Sequence, residues 1–196
     1  AILLRNASGR APRIAKVLQD EGIPVYSDAD AEFFDLPEIT DMLSILRVLE
    51  NPMQDVPLLC ALRSPAFSFT AEELSRVRLA SPPKRSFYDA LTGYPMADET
   101  PLSRKVARAL ATLSDWRFLS RNMPPESLLY RLLDETDIYA RAGALPGGES
   151  RRANLRLLCE RAQGESSLHD FLCDVDTARR NDDGKSAKTL SESENV

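Results

Sequence analysis

Ala1-Ile2-Leu3-Leu4-Arg5-Asn6-Ala7-Ser8-Gly9-Arg10 opens the 196-residue chain and decides how the rest is read. Four consecutive apolar residues, stopped by Arg5 and a polar Asn/Ser/Gly turn, have the pattern of a short strand buried on both faces, as in parallel sheets. Ile14, Val17 and Leu18 then fall at helical spacing, Gly22 is placed to end that helix, and Ile23 to Tyr26 supplies a second short strand. Such a strand-helix-strand unit needs a sheet to join, yet nothing downstream alternates in the same way. The partners of the first strand are therefore expected outside this chain, and the absence of an initiating Met fits a segment of a larger protein.

From Asp35 onward the periodicity changes to helical. Asp35 with Glu38 has the form of a capping box, Pro37 suits a first helical turn, and Ile39, Met42, Leu43 and Leu46 recur at helical spacing until Asn51-Pro52. A short helix is expected from about Asp55 to Arg63, broken by Ser64-Pro65, and Thr70 with Glu73 caps another through about Leu79. Ser81 to Arg85 reads as a loop, Phe87 to Leu91 as a helical turn, and Gly93 to Pro101 as a connector. Val106, Leu110, Leu113 and Trp116 share one face of the longest helix, which Pro124-Pro125 ends. Leu128, Leu129, Leu132 and Leu133 mark a further helix closing near Asp137. Gly143 to Gly148 reads as a loop, before a helix carrying Leu155, Leu158 and Ala162 and a last one carrying Leu168, Phe171 and Leu172. Residues 181–196 are polar apart from Ala187, Leu190 and Val196 and read as a disordered tail or linker.

With 43% hydrophobic and 28% charged residues, the chain can bury a sizeable core. It contains no apolar run long enough to span a bilayer, and Ala1 to Leu4 is too short for a signal peptide. Cys60, Cys159 and Cys173 fit neither a disulfide framework nor a zinc site, so a reducing cytoplasm is the expected location. The net charge of -5 is unevenly spread. Arg5, Arg10, Arg13 and Lys16 precede any acidic residue. Asp28, Asp30, Glu32, Asp35, Glu38 and Asp41 follow with no base until Arg47. Arg151, Arg152, Arg156 and Arg161 form a second basic cluster, so two local basic surfaces are candidate phosphate contacts.

Motifs for nucleotide or zinc chemistry are absent: no G-x-x-x-x-G-K-[ST], no G-x-G-x-x-G and no H-E-x-x-H occurs. His169, the single histidine, reads as a helix-surface or boundary residue and not as a catalyst. The acid pairs Glu72-Glu73, Asp134-Glu135 and Asp182-Asp183 read as surface charge, and Trp116 as core.

One family shows the same order of short features. Ala1 to Arg5, Ala11-Pro12, Gly22 to Tyr26, Phe33-Phe34, Pro37-Glu38-Ile39, Leu43, Leu46-Arg47, Asn51-Pro52, Asp55 and Leu62-Arg63-Ser64-Pro65 together resemble the UvrD/RecB-type superfamily 1 helicases. Ala142-Gly143-Ala144-Leu145-Pro146-Gly147-Gly148-Glu149, followed by Arg152-Ala153-Asn154-Leu155-Arg156, narrows the resemblance to the AddA (RexA) type of subunit in helicase-nucleases. The resemblance covers nearly the whole chain. It implies a mainly α fold: residues 1–35 a strand-helix-strand piece of the second RecA-like α/β motor lobe, 36–180 a helical accessory subdomain, and 181–196 a polar linker.

The resemblance further implies that the strand-Arg-turn contacts single-stranded DNA. This places Arg5, Asn6, Ser8, Arg10 and Arg13 on the DNA, although the Asn expected two residues after the Arg is Ala7 here, so Arg5 transfers most directly. Arg151, Arg152 and Arg156 are candidates for a duplex-facing surface. At Ser68-Phe69-Thr70 the chain departs from relatives, which carry a Gly-x-Gly turn whose amides approach duplex phosphates. ATP and Mg2+ belong, in such enzymes, to motifs outside this segment, and the nuclease is a separate domain, so no catalytic residue, metal ligand or cofactor site is expected within it. The implied function is DNA handling within an ATP-dependent helicase/nuclease for double-strand break repair and recombination, partnered by a second subunit of the AddB or RexB type and by no membrane. The competing reading is an all-helical module that contacts a partner subunit without touching DNA.

Overall fold

The computed structural model describes residues 14, 17, 18, 21, 33–95 and 100–180, the side chain of residue 180 excepted. Ile14, Val17 and Leu18 are helical, as their spacing requires; the strands expected at 1–5 and 23–26 and the tail at 181–196 lie outside the described residues. Among the described residues the fold is helical throughout, with no strand. A 3-10 turn, Phe33–Asp35, leads into α1 (Pro37–Glu50), α2 (Asp55–Arg63), α3 (Ala71–Leu79), α4 (Phe87–Thr92), α5 (Pro101–Ser120), α6 (Pro125–Glu135), α7 (Ile138–Ala144), α8 (Gly148–Arg161) and α9 (Leu168–Arg180).

Helix α1 is the axis of the fold. It contacts the 3-10 turn and helices α2, α5, α7, α8 and α9. The expected stripe of Ile39, Met42, Leu43 and Leu46 is buried, and so are Ile45, Val48 and Leu49 on the remaining sides. A helix buried on several sides is one enclosed by its neighbours. Its start differs from the expected capping box. Leu36 occupies the cap position without a side-chain bond and Pro37 begins the helix. Glu38 is 6% exposed and points into the core toward α8. With Leu36 at the cap, Glu38 stands at the second helical position, and its carboxylate meets a guanidinium instead of the cap's backbone.

Asp41, one turn further on, is half-buried, and burial first and then the neighbouring Glu38 push its carboxyl up to about 6 from 3.8. The folded chain thus holds the Asp41 proton more tightly than the unfolded chain. The resulting stability is fully present below pH ~4 and is lost as pH rises through ~6. Discounted for partial solvation, the loss is about 1–2 kcal/mol. Asp41→Asn should therefore raise the urea midpoint above pH 6 and leave it unchanged near pH 4, and a pH-independent difference would contradict this origin.

The other helix starts follow the sequence. Thr70 Oγ1 accepts from the Glu73 amide at 3.1 Å while Glu73 Oε2 accepts from the Thr70 amide at 2.8 Å, completing the expected box. Ser86 caps α4, and Thr100 caps α5 with Pro101 at its first position. Asp55 at the start of α2 accepts from the Phe87 amide at 2.8 Å, tying α2 to α4. Trp116 is core, as its spacing predicts, with its indole N–H donating to Glu135 at 2.7 Å and Phe67 against its ring.

The expected loop over 143–148 shrinks to Leu145-Pro146-Gly147, because Gly143 lies inside α7 and Gly148 begins α8. Two glycines that read as loop residues are packing residues instead. A Cβ on Gly148 would stand 2.2 Å from the Gly143 carbonyl oxygen, so the two helices touch backbone to backbone. Gly147 between them has φ 70°, the left-handed conformation that glycine adopts freely.

Helix α9 returns to the start of the fold. Arg47 pairs with Asp176, Glu50 with His169, and Arg179 with Asp35 of the 3-10 turn. The two ends of the helical unit are thereby adjacent.

Candidate nucleic-acid interface

Arg5, Asn6, Ser8, Arg10 and Arg13 lie outside the described residues, so the structure addresses the second basic cluster. Arg151, Arg152 and Arg156 all stand on α8, and each is engaged. Arg151 Nη1 donates to Glu38 Oε2 at 2.6 Å and its Nε to the Pro146 carbonyl at 3.2 Å. Asn154 Nδ2 donates to the other Glu38 oxygen at 3.0 Å. Arg151 is thus the counter-charge of a buried acid and closes the α7–α8 turn.

Arg152 and Arg156 have a different environment. Arg152 occupies the space that a Cβ on Gly143 would fill, with its guanidinium 5.2 Å from the centre of the Tyr139 ring. Arg156 donates to the Tyr139 hydroxyl at 2.9 and 2.5 Å and lies 5.7 Å from the same ring. Tyr139 therefore holds two guanidinium groups at fixed positions by cation–π attraction and hydrogen bonds. Neither Arg152 nor Arg156 forms an ion pair with a described carboxylate. Arg161, the fourth arginine of the cluster, covers the rings of Phe33 and Phe34 at 4.6 and 5.2 Å, and burial lowers its pKa. The cluster divides into two packing arginines, Arg151 and Arg161, and two that keep a cationic face.

Ser68-Phe69-Thr70 keeps a turn despite lacking glycine. Ser68 has φ 53°, the left-handed conformation that a glycine would take at no steric cost. Its carbonyl accepts from Lys105 Nζ at 2.9 Å, and Lys105 also meets Glu73 Oε2 at 2.7 Å and the Phe69 ring at 4.5 Å. Burial raises the Glu73 carboxyl, but its hydrogen bonds to Lys105 and to Thr70 and the charge of Lys105 together hold it below its ordinary range. Nothing in the sequence marks Lys105, since its partners lie more than thirty residues away and no helical spacing relates them.

Of the acid pairs, Asp182-Asp183 lies outside the described residues, and three carboxylates of the other two have assigned partners, Glu73 holding Lys105. Glu72 bonds Arg76, and Glu135 serves Trp116 and Arg131. His169 is exposed on α9, where Glu50 raises its pKa and Cys173 Sγ lies 3.6 Å from its Nε2. No group of three His, Cys, Asp or Glu among the described residues could hold a metal ion, and no described helix is long and apolar enough to cross a membrane.

Residues 1–93 match the family described as UvrD-like helicase C-terminal domain. Over those residues, a little under half of the chain, it is similar to UvrD-like helicases. The whole chain is also similar to proteins named as the A subunit of an ATP-dependent helicase/nuclease. It is 39% identical to those of Geobacillus kaustophilus (strain HTA426), Pelotomaculum thermopropionicum and Acetivibrio thermocellus, each match covering 100% of this chain and 16% of the relative. The chain thus spans about one sixth of the length of these curated relatives. The UvrD-like match ends within the helical region, just after α4, while the similarity to the helicase/nuclease proteins continues through α5 to α9.

Proposed function

We propose that this chain is the DNA-handling segment of an ATP-dependent helicase/nuclease subunit that unwinds and processes DNA ends in double-strand break repair and recombination. The observation that carries the reading is similarity over the full chain to proteins of that name. The fold supports it: the bond between Asp35 and Arg179 brings the two ends of the helical unit together, as an accessory subdomain inserted into a motor lobe requires.

In this reading residues 1–35 belong to the second motor lobe and 36–180 to the accessory subdomain, with 181–196 leading back to the motor. Arg5, with Asn6, Ser8, Arg10 and Arg13, contacts the translocating single strand. Arg152 and Arg156, fixed on Tyr139, present a cationic face to duplex phosphates. Arg151 is committed to Glu38 and supports that face. No phosphate-binding loop occurs in the sequence. ATP and Mg2+ are accordingly assigned to the remainder of the protein, and so is the contact with a second subunit of the AddB or RexB type. A cytoplasmic location goes with this role.

The full-length protein, given a forked DNA with a fluorophore and quencher on its two strands, should displace one strand only with ATP and Mg2+ present. Its ATP hydrolysis should rise on adding single-stranded DNA. Absence of both effects, with a second subunit bound, would instead leave the segment as an interaction module.

A further inference from the structure

Two clefts open side by side around the end of α5. The first, about 270 Å³, has buried Val48 and Leu113 at its base, Tyr88 and Phe118 beside them, and Arg117 and Arg121 at its edge. The second, about 340 Å³, shares Arg121 and continues past Ser120 to Ser166, Ser167 and His169. Phe118, in the last turn of α5, is 68% exposed. The Arg117 Nε donates to the Leu49 carbonyl at 3.2 Å, which fixes its guanidinium at the cleft edge. Neither Arg117 nor Arg121 pairs with a described carboxylate. Glu50, the one carboxylate among the described lining residues, is taken by His169.

The double cleft thus offers an exposed aromatic face, two arginines four residues apart at the end of α5, and the side chains of Ser120, Ser166 and Ser167 leading to a histidine that Glu50 favours in its cationic form. An unpaired nucleobase stacks on such a ring while its flanking phosphates meet the cations, and binding of this kind needs no base sequence. We infer that the clefts joined at Arg121 form a subsite for single-stranded DNA, in addition to the contact proposed for Arg5. The inference rests on the proposed function, because it takes DNA as the ligand. A duplex would leave Phe118 without a base to stack on. An acidic peptide would use the cations but not the ring.

The test uses the full-length protein and fluorescently labelled oligothymidine. Phe118 and Arg121 are exposed, so their substitution leaves the core intact. Phe118→Ala should weaken binding about tenfold. Arg121→Gln should flatten the log-log salt dependence by roughly 0.7 and Arg121→Lys should restore it. Oligonucleotides carrying 5-iodouracil should cross-link to the peptide containing Phe118. Unchanged binding and no cross-link there, while Arg5→Ala still weakens binding, would overturn the subsite and leave the proposed function standing. Wild-type protein that binds no DNA would remove both. An equal loss for blunt duplex would overturn the single-strand assignment, as would loss of a copurifying subunit with DNA binding intact.

Discussion

Glu38→Ala should lower the unfolding free energy of the helical unit by about 3 kcal/mol, measured by urea denaturation. The side chain is 4% exposed and meets Arg151 at 2.6 Å and Asn154 at 3.0 Å across α1 and α8. A buried carboxylate is tolerated only because both oxygens are satisfied. Its removal deletes the counter-charge of a mostly buried guanidinium and one bond of Asn154, and it opens a gap between the central helix and α8. The double substitution Glu38→Met with Arg151→Met should recover most of the loss, since replacing both charges by apolar groups avoids desolvating either. A single-site effect below about 1 kcal/mol would show that water reaches the pair and that Arg151 is free for other contacts.

Gly148→Ala should be comparably severe, about 3 kcal/mol, because the clash is with backbone. The added Cβ would lie 2.2 Å from the Gly143 oxygen, 2.7 Å from its carbonyl carbon and 2.9 Å from its Cα. No rotamer can relieve this, so α7 and α8 must separate and carry Tyr139 away from Arg152 and Arg156. Gly147→Ala is the contrasting case. Nothing lies within 4 Å of its Cβ position, and only the strain of φ 70° opposes it, about 1 kcal/mol. Thermal unfolding of the two variants should rank them in that order. The reverse ranking would mean that the turn, and not the helix contact, requires glycine.

The helical part of the fold is legible in the sequence wherever the signal is local. Thr70 with Glu73 and the Val106, Leu113, Trp116 face each needs only residues within a few turns, and each stands as expected, although Leu110 on that face is only partly buried and Pro101, read as the end of a connector, begins α5. Glu38 departs from its local pattern, an acid three residues after Asp35, because a partner on α8, more than a hundred residues away, overrides it. Gly143 and Gly148 depart for a similar reason: their role lies between two helices, and in sequence a glycine required for close packing looks the same as one required for a turn. Helix α7 is hidden with them, since seven residues carry too little periodicity to stand out. The basic cluster on α8 is legible as charge, but not its division. Tyr139, which holds two of the four arginines, comes from the preceding helix, and Phe33 and Phe34, which hold a third, from the beginning of the unit.

The central claim, that this chain handles DNA for a helicase motor, is tested most directly at Arg5 in the full-length protein. The sequence places Arg5 at the end of an apolar strand pattern and before a polar turn, and the family resemblance directs it to the phosphates of the single strand. One arginine–phosphate contact releases about one counterion, so Arg5→Ala should weaken single-strand binding and flatten its log-log salt dependence by roughly 0.7. ATP hydrolysis titrated with single-stranded DNA at two salt concentrations should then need more DNA for half-maximal rate, with the gap between variant and wild type narrowing at the higher salt. Superimposable curves for the two proteins at both salt concentrations would contradict the account and take Arg5 out of the DNA path.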